Sequence, residues 1–399
     1  TNPLLSDWNT PFEIPPFEQV RPEHYLPAYI KAMEVHSAEI DAITSNPEPA
    51  TFENTIVAYS NSGELLSKVS AVFGSASGVK SNEQIKEIAR ELSPLTSAHY
   101  NEINLNEALF ARIKEVYDNR ESLGLEEDQM RLLTETYKGF ARNGANLPDD
   151  KKEELKKINT ELSANQLAFG QNLLKETEWT LLIENEEDLA GLSEAQIATA
   201  AARAQKAEKE GWLFGLDNPS VMPFLQSADN RELRIKMLDA YLNRCNNGNE
   251  YDNNQVIKNL ISLRLQKANI LGYEDYAAYV LEDRMAKNAD AVYSLLNQLW
   301  TPALAVAKAE LADIKALAVK DGITDVVAAD WRYYFEKSMQ SKYNISDEEL
   351  RPYFKLENVR EGIFFVANKL FGITFEQLDN VPLPHPEAVA FECKEADGT

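Results

Sequence analysis

Apolar residues spaced three and four positions apart recur along most of this chain, and no other feature of the sequence constrains the fold as strongly. After Pro22 this spacing places a set of residues on one helical face: Leu26, Tyr29, Met33, His36, Ile40 and Ile43. Residues 151–176 repeat the pattern, with lysine and glutamate on the opposite face. Helical spacing returns through residues 231–320. The sequence therefore predicts a mainly α protein built from many helices.

Short segments with strand signals lie around residues 178–184, 211–217 and 388–394. The first two combine aromatic and apolar residues on either side of a helical stretch, which predicts a small sheet inserted among the helices. The third alternates apolar and polar side chains and precedes Asp397-Gly398, residue types that favour a tight hairpin turn. Because no strand follows that turn, we expect the strand from Val389 to Lys394 to be poorly paired or to be paired with a neighbouring molecule.

The length of the chain predicts two regions, because 399 residues exceed the usual size of one compact core. The first, residues 1–175, is a helical region that begins with an irregular arm rich in proline and aromatic residues. The second, residues 176–399, is a helical region that contains the small strand insertion and the C-terminal strand. The helices differ in length and pattern without a fixed period, which argues against a solenoid.

The charge of the chain narrows the choice of partners. Its 64 acidic residues against 40 basic ones give a net charge of −24, which repels nucleic acid and anionic membrane surfaces. A surface of this kind is typical of a well-solvated protein, and it also suits cationic or N-terminally charged peptides. We therefore expect neither nucleic acid nor a membrane as a partner.

The residues that most often bind metals form no recognisable motif here. Cys245 and Cys393 are far apart, which argues against a disulfide framework and against cysteine-bound zinc. No histidine lies three to five residues from another; the histidines are His24, His36, His99 and His385. The HExxH motif of zinc peptidases is therefore absent. His36 is expected to be a hydrogen-bonded core residue rather than a metal ligand.

Other catalytic motifs are missing as well. Glycine patterns that cradle phosphate do not occur, and Ala76 occupies the position that the serine of a G-x-S-x-G nucleophile elbow would take. From motifs alone, the sequence predicts no catalytic residue, no cofactor-binding residue and no metal ligand in this chain.

One longer segment carries a more specific pattern, "DWRYYFEKSMQSKYNISDEELRPYFKLENVREGIFFVANKLFGITFEQL". It contains an aromatic-rich helix through Trp331, Tyr333 and Tyr334, and a His-Pro pair and a strand follow it. This order of residues closely resembles the thimet oligopeptidase family of zinc metallopeptidases, nearest to its peptidyl-dipeptidase Dcp branch. The likeness spans the whole chain and includes "PPFEQVRPEHYLPA" and "GYEDYAAYVLEDRMAK". It departs at Ala329, where relatives commonly have tryptophan, and at Val389, where they often have arginine.

The resemblance implies a two-lobed helical hydrolase whose deep channel admits short peptide substrates and excludes folded proteins. In that family an HExxH helix and a downstream glutamate bind zinc, and neither occurs in these 399 residues. We therefore expect the chain to be a truncated, N-terminal portion of such a peptidase, forming one lobe and part of the channel wall. The parent protein would hold zinc in its missing C-terminal catalytic portion, and this chain alone would bind no zinc and be inactive.

An alternative remains open, a non-catalytic helical peptide-binding or scaffold protein that retains the fold. Peptide preference and the choice between dipeptide release and internal cleavage also stay open. The free cysteines favour a cytoplasmic location. A periplasmic location is also possible, because the chain does not begin with methionine and its start is therefore processed or engineered.

Overall fold

The computed structural model of this protein describes residues 2–399, apart from the side chains of residues 347 and 348. The fold is mainly α-helical, as the apolar spacing predicts. The helices are α1 (Pro22–Thr44), α2 (Ala58–Ser60), α3 (Glu64–Val79), α4 (Glu83–Asn104), α5 (Glu107–Asp118), α6 (Glu127–Arg142), α7 (Asp149–Glu176), α8 (Glu194–Lys206), α9 (Asn218–Ser227), α10 (Arg231–Leu242), α11 (Asn254–Ile270), α12 (Tyr276–Leu281), α13 (Ala289–Lys320), α14 (Ala328–Tyr343), α15 (Asp347–Leu350) and α16 (Leu356–Phe371). The strands are β1 (Thr180–Ile183), β2 (Trp212–Gly215), β3 (Thr374–Leu378) and β4 (Ala390–Lys394). Within residues 2–399, no helix has the length and apolar character needed to span a bilayer.

The helices and strands form two compact units that alternate along the sequence. Unit 1 comprises Thr1–Leu167, Asn259–Tyr279 and Phe364–Thr399. Unit 2 comprises Ala168–Lys258 and Val280–Ile363. The division of the chain at residue 175 that the sequence favours stays a prediction.

Unit 1 packs α3 and α4 against α1, which begins at Pro22 with proline in its first turn. Asn82 caps α4, because its side-chain oxygen accepts a hydrogen bond from the Ile85 backbone N–H. One apolar core lies between the start of α1 and α3, where Leu66 and Val69 are fully buried. A second core joins the end of α1 to α5 and α6. The predicted apolar face of α1 thus contributes to both cores.

Unit 2 is organised around the small sheet that the sequence predicts near residues 178–184 and 211–217. Strands β1 and β2 pair antiparallel from Thr180 opposite Gly215 to Ile183 opposite Trp212. Helices α8 and α9 cover this sheet with an apolar core that includes Phe214. Helix α14 packs on α9, α10 and α13, and it buries Tyr333 and Tyr334. The sheet and α14 together form the scaffold of unit 2.

The expectation of a poorly paired C-terminal strand is wrong. Strand β4 pairs along its whole length with β3, from Thr374 opposite Lys394 to Leu378 opposite Ala390. The partner precedes β4 in the sequence, so the strand does not need one after the turn. The predicted turn itself is present: Gly398 has a φ of 90°, and its N–H donates to the Glu395 carbonyl oxygen.

The first half of α13 carries apolar side chains that other described residues do not cover. The exposed residues include Tyr293, Leu296, Leu299 and Trp300. Only towards its end does the helix bury side chains, at Ile314 and Ala318. Contiguous exposed apolar surface of this kind is typical of a contact with other polypeptide.

Candidate functional site

Two histidines that are 63 residues apart in sequence meet inside unit 1. His36 on α1 and His99 on α4 are both buried, and His36 Nδ1 lies 3.0 Å from His99 Nε2. The other ring nitrogen of His36 lies 3.3 Å from the Ser62 hydroxyl oxygen. The prediction that His36 is a hydrogen-bonded core residue is confirmed. Its partner was missed, although His99 also lies on the buried face of a helix.

Burial lowers the pKa of both histidines, because a buried imidazolium loses its hydration. The neighbouring carboxylate of Glu39 raises the pKa of His36, but this effect is smaller than that of burial. The pair is therefore neutral near pH 7, with one ring donating to the other.

The pair does not make a zinc site, because tetrahedral zinc needs at least three converging protein ligands. Among the described side chains, which exclude those of residues 347 and 348, no group of three or more His, Cys, Asp or Glu is arranged to hold a metal ion. The remaining histidines serve the local backbone: His24 Nδ1 accepts from the Arg21 N–H, and His385 Nδ1 accepts from the Glu387 N–H. The described residues thus do not fit zinc.

A buried ion cluster in unit 2 joins α10 to α14. The Asp330 carboxylate is fully buried, as is Arg234, whose Nη2 lies 3.0 Å from Asp330 Oδ1. Arg231 donates to both oxygens of the same carboxylate, with Nε at 3.0 Å from Oδ1 and Nη2 at 2.8 Å from Oδ2. The Val327 N–H adds a further hydrogen bond. The two-point contact of Arg231 with the Asp330 carboxylate fixes the orientation of α14 as well as its position.

The groups around Asp330 determine whether its carboxyl group is ionised. Burial alone would raise the pKa of Asp330, but hydrogen bonds from Arg231, Val327 and Arg234 outweigh burial, and the pKa is lowered overall. The Arg234 guanidinium lies 4.0 Å from the centre of the Tyr333 ring, and the Tyr333 hydroxyl donates to Asp229 at 2.6 Å. The carboxylate therefore stays ionised, and α14 is also tied to Asp229, two residues after the end of α9.

Gly191 allows the chain to pass close to this cluster. It has a φ of 85°, and a Cβ there would lie 2.1 Å from the Ser227 carbonyl oxygen and 2.7 Å from Asp229 Oδ1. Only glycine fits so near to another backbone in this conformation. The turn around Gly191 consequently rests directly against the end of α9.

A groove with a volume of about 510 Å³ opens beside this turn, entirely within unit 2. Four separate segments line it: Gly191, Leu192, Ser193 and Gln196; Pro223, Gln226 and Ser227; Glu336 and Gln340; Ser346, Leu350, Arg351 and Phe354. Helix α14, which the ion cluster holds, contributes Glu336 and Gln340. The volume lies within the range of small-molecule and short-peptide sites.

The wall of the groove is ordered before any ligand arrives. Ser193 and Gln196 form a capping box at the start of α8. Gln196 Nε2 also donates to the Ser227 hydroxyl oxygen at 3.2 Å, which joins α8 to α9. These contacts hold two sides of the groove in place and reduce the entropy cost of binding.

The lining of the groove offers groups that can form hydrogen bonds, apolar contacts and ion pairs with a ligand. Amide side chains at Gln226 and Gln340 can pair with a peptide backbone, and Phe354 offers an apolar surface. Glu336 and Arg351 supply opposite charges. No histidine or cysteine is among the lining residues, so the groove has no imidazole base or thiol nucleophile. Sequence reasoning missed this groove because its four segments share no motif.

A family model and individual relatives both show similarity between this chain and known peptidases. Residues 224–395 match the family described as Peptidase family M3. The dipeptidyl carboxypeptidase of Salmonella typhimurium is 34% identical over 402 residues, and that of Escherichia coli strain K12 is 35% identical over 401 residues; both alignments cover all of this chain. Oligopeptidase A of Escherichia coli is 32% identical over 398 residues, which cover 98% of this chain. The chain spans 59% of the length of each dipeptidyl carboxypeptidase and 58% of oligopeptidase A.

We predict that the histidine pair makes the stability of the chain sensitive to mild acid. The pKa of each histidine is lower in the folded state, so stability is full above about pH 6.5 and falls as the pH drops below that value. Replacing His99 with Gln should weaken this loss between about pH 7 and pH 5, and should cost about 1 kcal/mol at pH 7.5. Urea unfolding of both forms at several pH values measures the effect.

His385→Gln is the matched control, because His385 bonds only within its own turn. It should keep the pH dependence of the wild-type chain. An unchanged pH dependence in the His99→Gln variant would contradict the role of the pair.

A second prediction concerns Asp330→Asn. The substitution preserves shape but leaves Arg234 buried without its counter-charge, which should destabilise the protein by about 3–5 kcal/mol. Asp313→Asn is the control, because the Asp313–Lys342 ion pair is about half exposed and should contribute far less. Urea unfolding at pH 7.5 compares the two variants. Equal losses would mean that the buried cluster does not stabilise α14.

Proposed function

The chain belongs to peptidase family M3, and from this membership we propose that it forms the peptide-binding, N-terminal portion of a zinc-dependent peptidase that hydrolyses short peptides. The parent protein is a hydrolase that releases dipeptides from peptide substrates or cleaves them internally. The described residues supply shape and binding groups, and other polypeptide supplies the catalytic centre.

The observation that carries this proposal is the similarity to dipeptidyl carboxypeptidase along the whole chain, at 34% and 35% identity in two relatives. Identity at this level over about 400 residues goes with a shared fold. The activity named for those relatives is assigned to this protein as a proposal, because the chain spans 59% of their length.

Zinc would bind in the part of the relatives' sequences to which this chain does not align. Zinc dependence follows from family membership. The residues described here lack a set of three converging metal ligands, so they do not supply the tetrahedral site that catalytic zinc requires.

We assign part of the peptide to the groove in unit 2. A backbone amide of the substrate would pair with Gln226 or Gln340, and an apolar side chain would lie on Phe354. Arg351 and Glu336 would favour the charged ends of a short peptide. The ordered capping box at Ser193 supports a rigid binding wall.

The proposal is tested by comparing the 399-residue chain with the longer protein encoded by its gene. We expect the longer form to hydrolyse a blocked tetrapeptide, with release of the C-terminal dipeptide, and to lose this activity to a chelator. The shorter chain should show no turnover. Product analysis by mass spectrometry measures both.

Chelator-insensitive hydrolysis by the 399-residue chain would contradict the proposal, because the catalytic centre would then lie within it. A gene that encodes no further residues, together with peptide binding by this chain, would favour the alternative of a non-catalytic peptide-binding or scaffold protein.

Peptide binding to the 399-residue chain tests whether the groove in unit 2 holds the peptide. Phe354→Ala should weaken binding of the blocked tetrapeptide about five- to tenfold, because roughly 1–1.5 kcal/mol of apolar contact is lost. Tyr353→Ala is the matched control, since Tyr353 is an exposed neighbouring aromatic residue that does not line the groove. Calorimetric titration measures both. Equal affinities in the two variants would place the peptide elsewhere, whatever the outcome of the activity assay.

A further inference from the structure

A separate cavity in unit 1 lies where the N-terminal arm meets α1, α3 and α4, and it has a volume of about 210 Å³. Its walls are Phe17, Val20, Arg21, Pro22, Tyr25, Ala76, Lys80, Asn82, Ile85 and Pro384. Most of these side chains are apolar, and none is a carboxylate. The peptidase assignment makes no use of this cavity, whose residues all belong to unit 1.

Tyr25 gives the cavity a polar group on an otherwise buried side chain. The residue is only 4% exposed, and its ring packs edge-on against Phe73 with centroids 5.0 Å apart. Its hydroxyl group has no hydrogen-bond partner among the described side chains and backbone, and it is not shut off from solvent, so it is available to donate to a ligand in the cavity. Burial also raises the pKa of Tyr25, so the hydroxyl remains a neutral donor at ordinary pH.

Two cations stand at the rim of the same cavity. Arg21 and Lys80 are both exposed, and neither forms an ion pair with another described residue. Arg21 donates through Nη1 to the carbonyl oxygens of Glu18 at 2.7 Å and Val20 at 3.1 Å, which holds the guanidinium beside the opening. Because two cations and no carboxylate are among the residues that line this opening, it favours an anion even in a chain with a net charge of −24.

The size of the cavity limits the ligand further. A volume of about 210 Å³ is smaller than sites for drug-sized molecules and matches one aromatic or branched aliphatic group. Phe17, Ile85 and Pro384 provide the apolar contact. The ligand must therefore combine a compact apolar body with one negative charge.

We propose that this cavity binds a small apolar carboxylate, either a free acid or the C-terminal residue of a peptide. The apolar body packs between Phe17, Ile85 and Pro384. The carboxylate accepts a hydrogen bond from the Tyr25 hydroxyl and lies close to the positive charges of Arg21 and Lys80.

The test is calorimetric titration of the 399-residue chain with 3-phenylpropanoate and with 3-phenylpropan-1-ol, which has the same body without the charge. We expect the acid to bind at least about tenfold more tightly. Tyr25→Phe, which keeps the ring, and Lys80→Gln should each weaken acid binding about two- to tenfold. Lys68→Gln is the control, because Lys68 lies on the same helix but does not line the cavity.

Equal binding of acid and alcohol would overturn the proposal. So would no detectable acid binding at about 10 mM, or wild-type affinity in both the Tyr25→Phe and Lys80→Gln variants. Thermal unfolding of each variant verifies that it is folded before titration. These outcomes do not depend on catalysis, so they are independent of the peptidase assignment.

A second titration distinguishes the two sources of carboxylate. A tetrapeptide that ends in phenylalanine is compared with its C-terminal amide. Binding of the free-acid peptide but not of the amide supports peptide C-termini as ligands of this cavity if Tyr25→Phe weakens that binding, because the groove in unit 2 also offers a cation, Arg351, to a free C-terminus. Binding of 3-phenylpropanoate alone supports free acids.

Discussion

The Asp330 carboxylate, buried between two arginines, is the contact on which unit 2 depends. Helix α10 supplies Arg231 and Arg234, and α14 supplies the carboxylate. A buried charge without its partner is costly, so each helix can occupy only the position that satisfies the other. The same helix α14 carries Glu336 and Gln340 to the wall of the groove. The ion cluster therefore helps to determine the shape of the groove, although it contributes no lining side chain.

Local charge and net charge act differently in this protein. The net charge of −24 sets the long-range field and disfavours nucleic acid and anionic membranes. Binding at short range depends on the side chains that line each opening. The cavity beside Tyr25 has Arg21 and Lys80 at its rim, and the groove in unit 2 has Arg351 on its wall. An acidic protein of this kind can therefore still recognise anionic groups at particular places.

The C-terminal strand illustrates where local reasoning fails. Period-two alternation identified β4, and Asp397-Gly398 does form a turn. The turn suggested a partner only after β4, whereas β3 precedes β4 and follows a helix directly. Aromatic packing fixes the pairing, because Phe364 stacks on Phe375 at 4.2 Å and contacts Phe391 at 4.9 Å between ring centroids. Those residues come from a helix and two strands, so no single window of sequence contains the interaction.

Amphipathic spacing and motif order are local properties of the sequence, and from them a mainly helical fold, three of the four described strands and the family could be predicted. The sequence also excluded an HExxH site, since that motif places both histidines within one helical turn. The pairing of His36 with His99, across 63 residues, was decided only by the packing of α1 on α4. The ion pair of Arg231 with Asp330, across 99 residues, and the four-segment groove were likewise decided by tertiary structure. The physical reason is that hydrogen bonds and ion pairs depend on distances in space, and sequence spacing does not specify those distances once the partners lie on different elements.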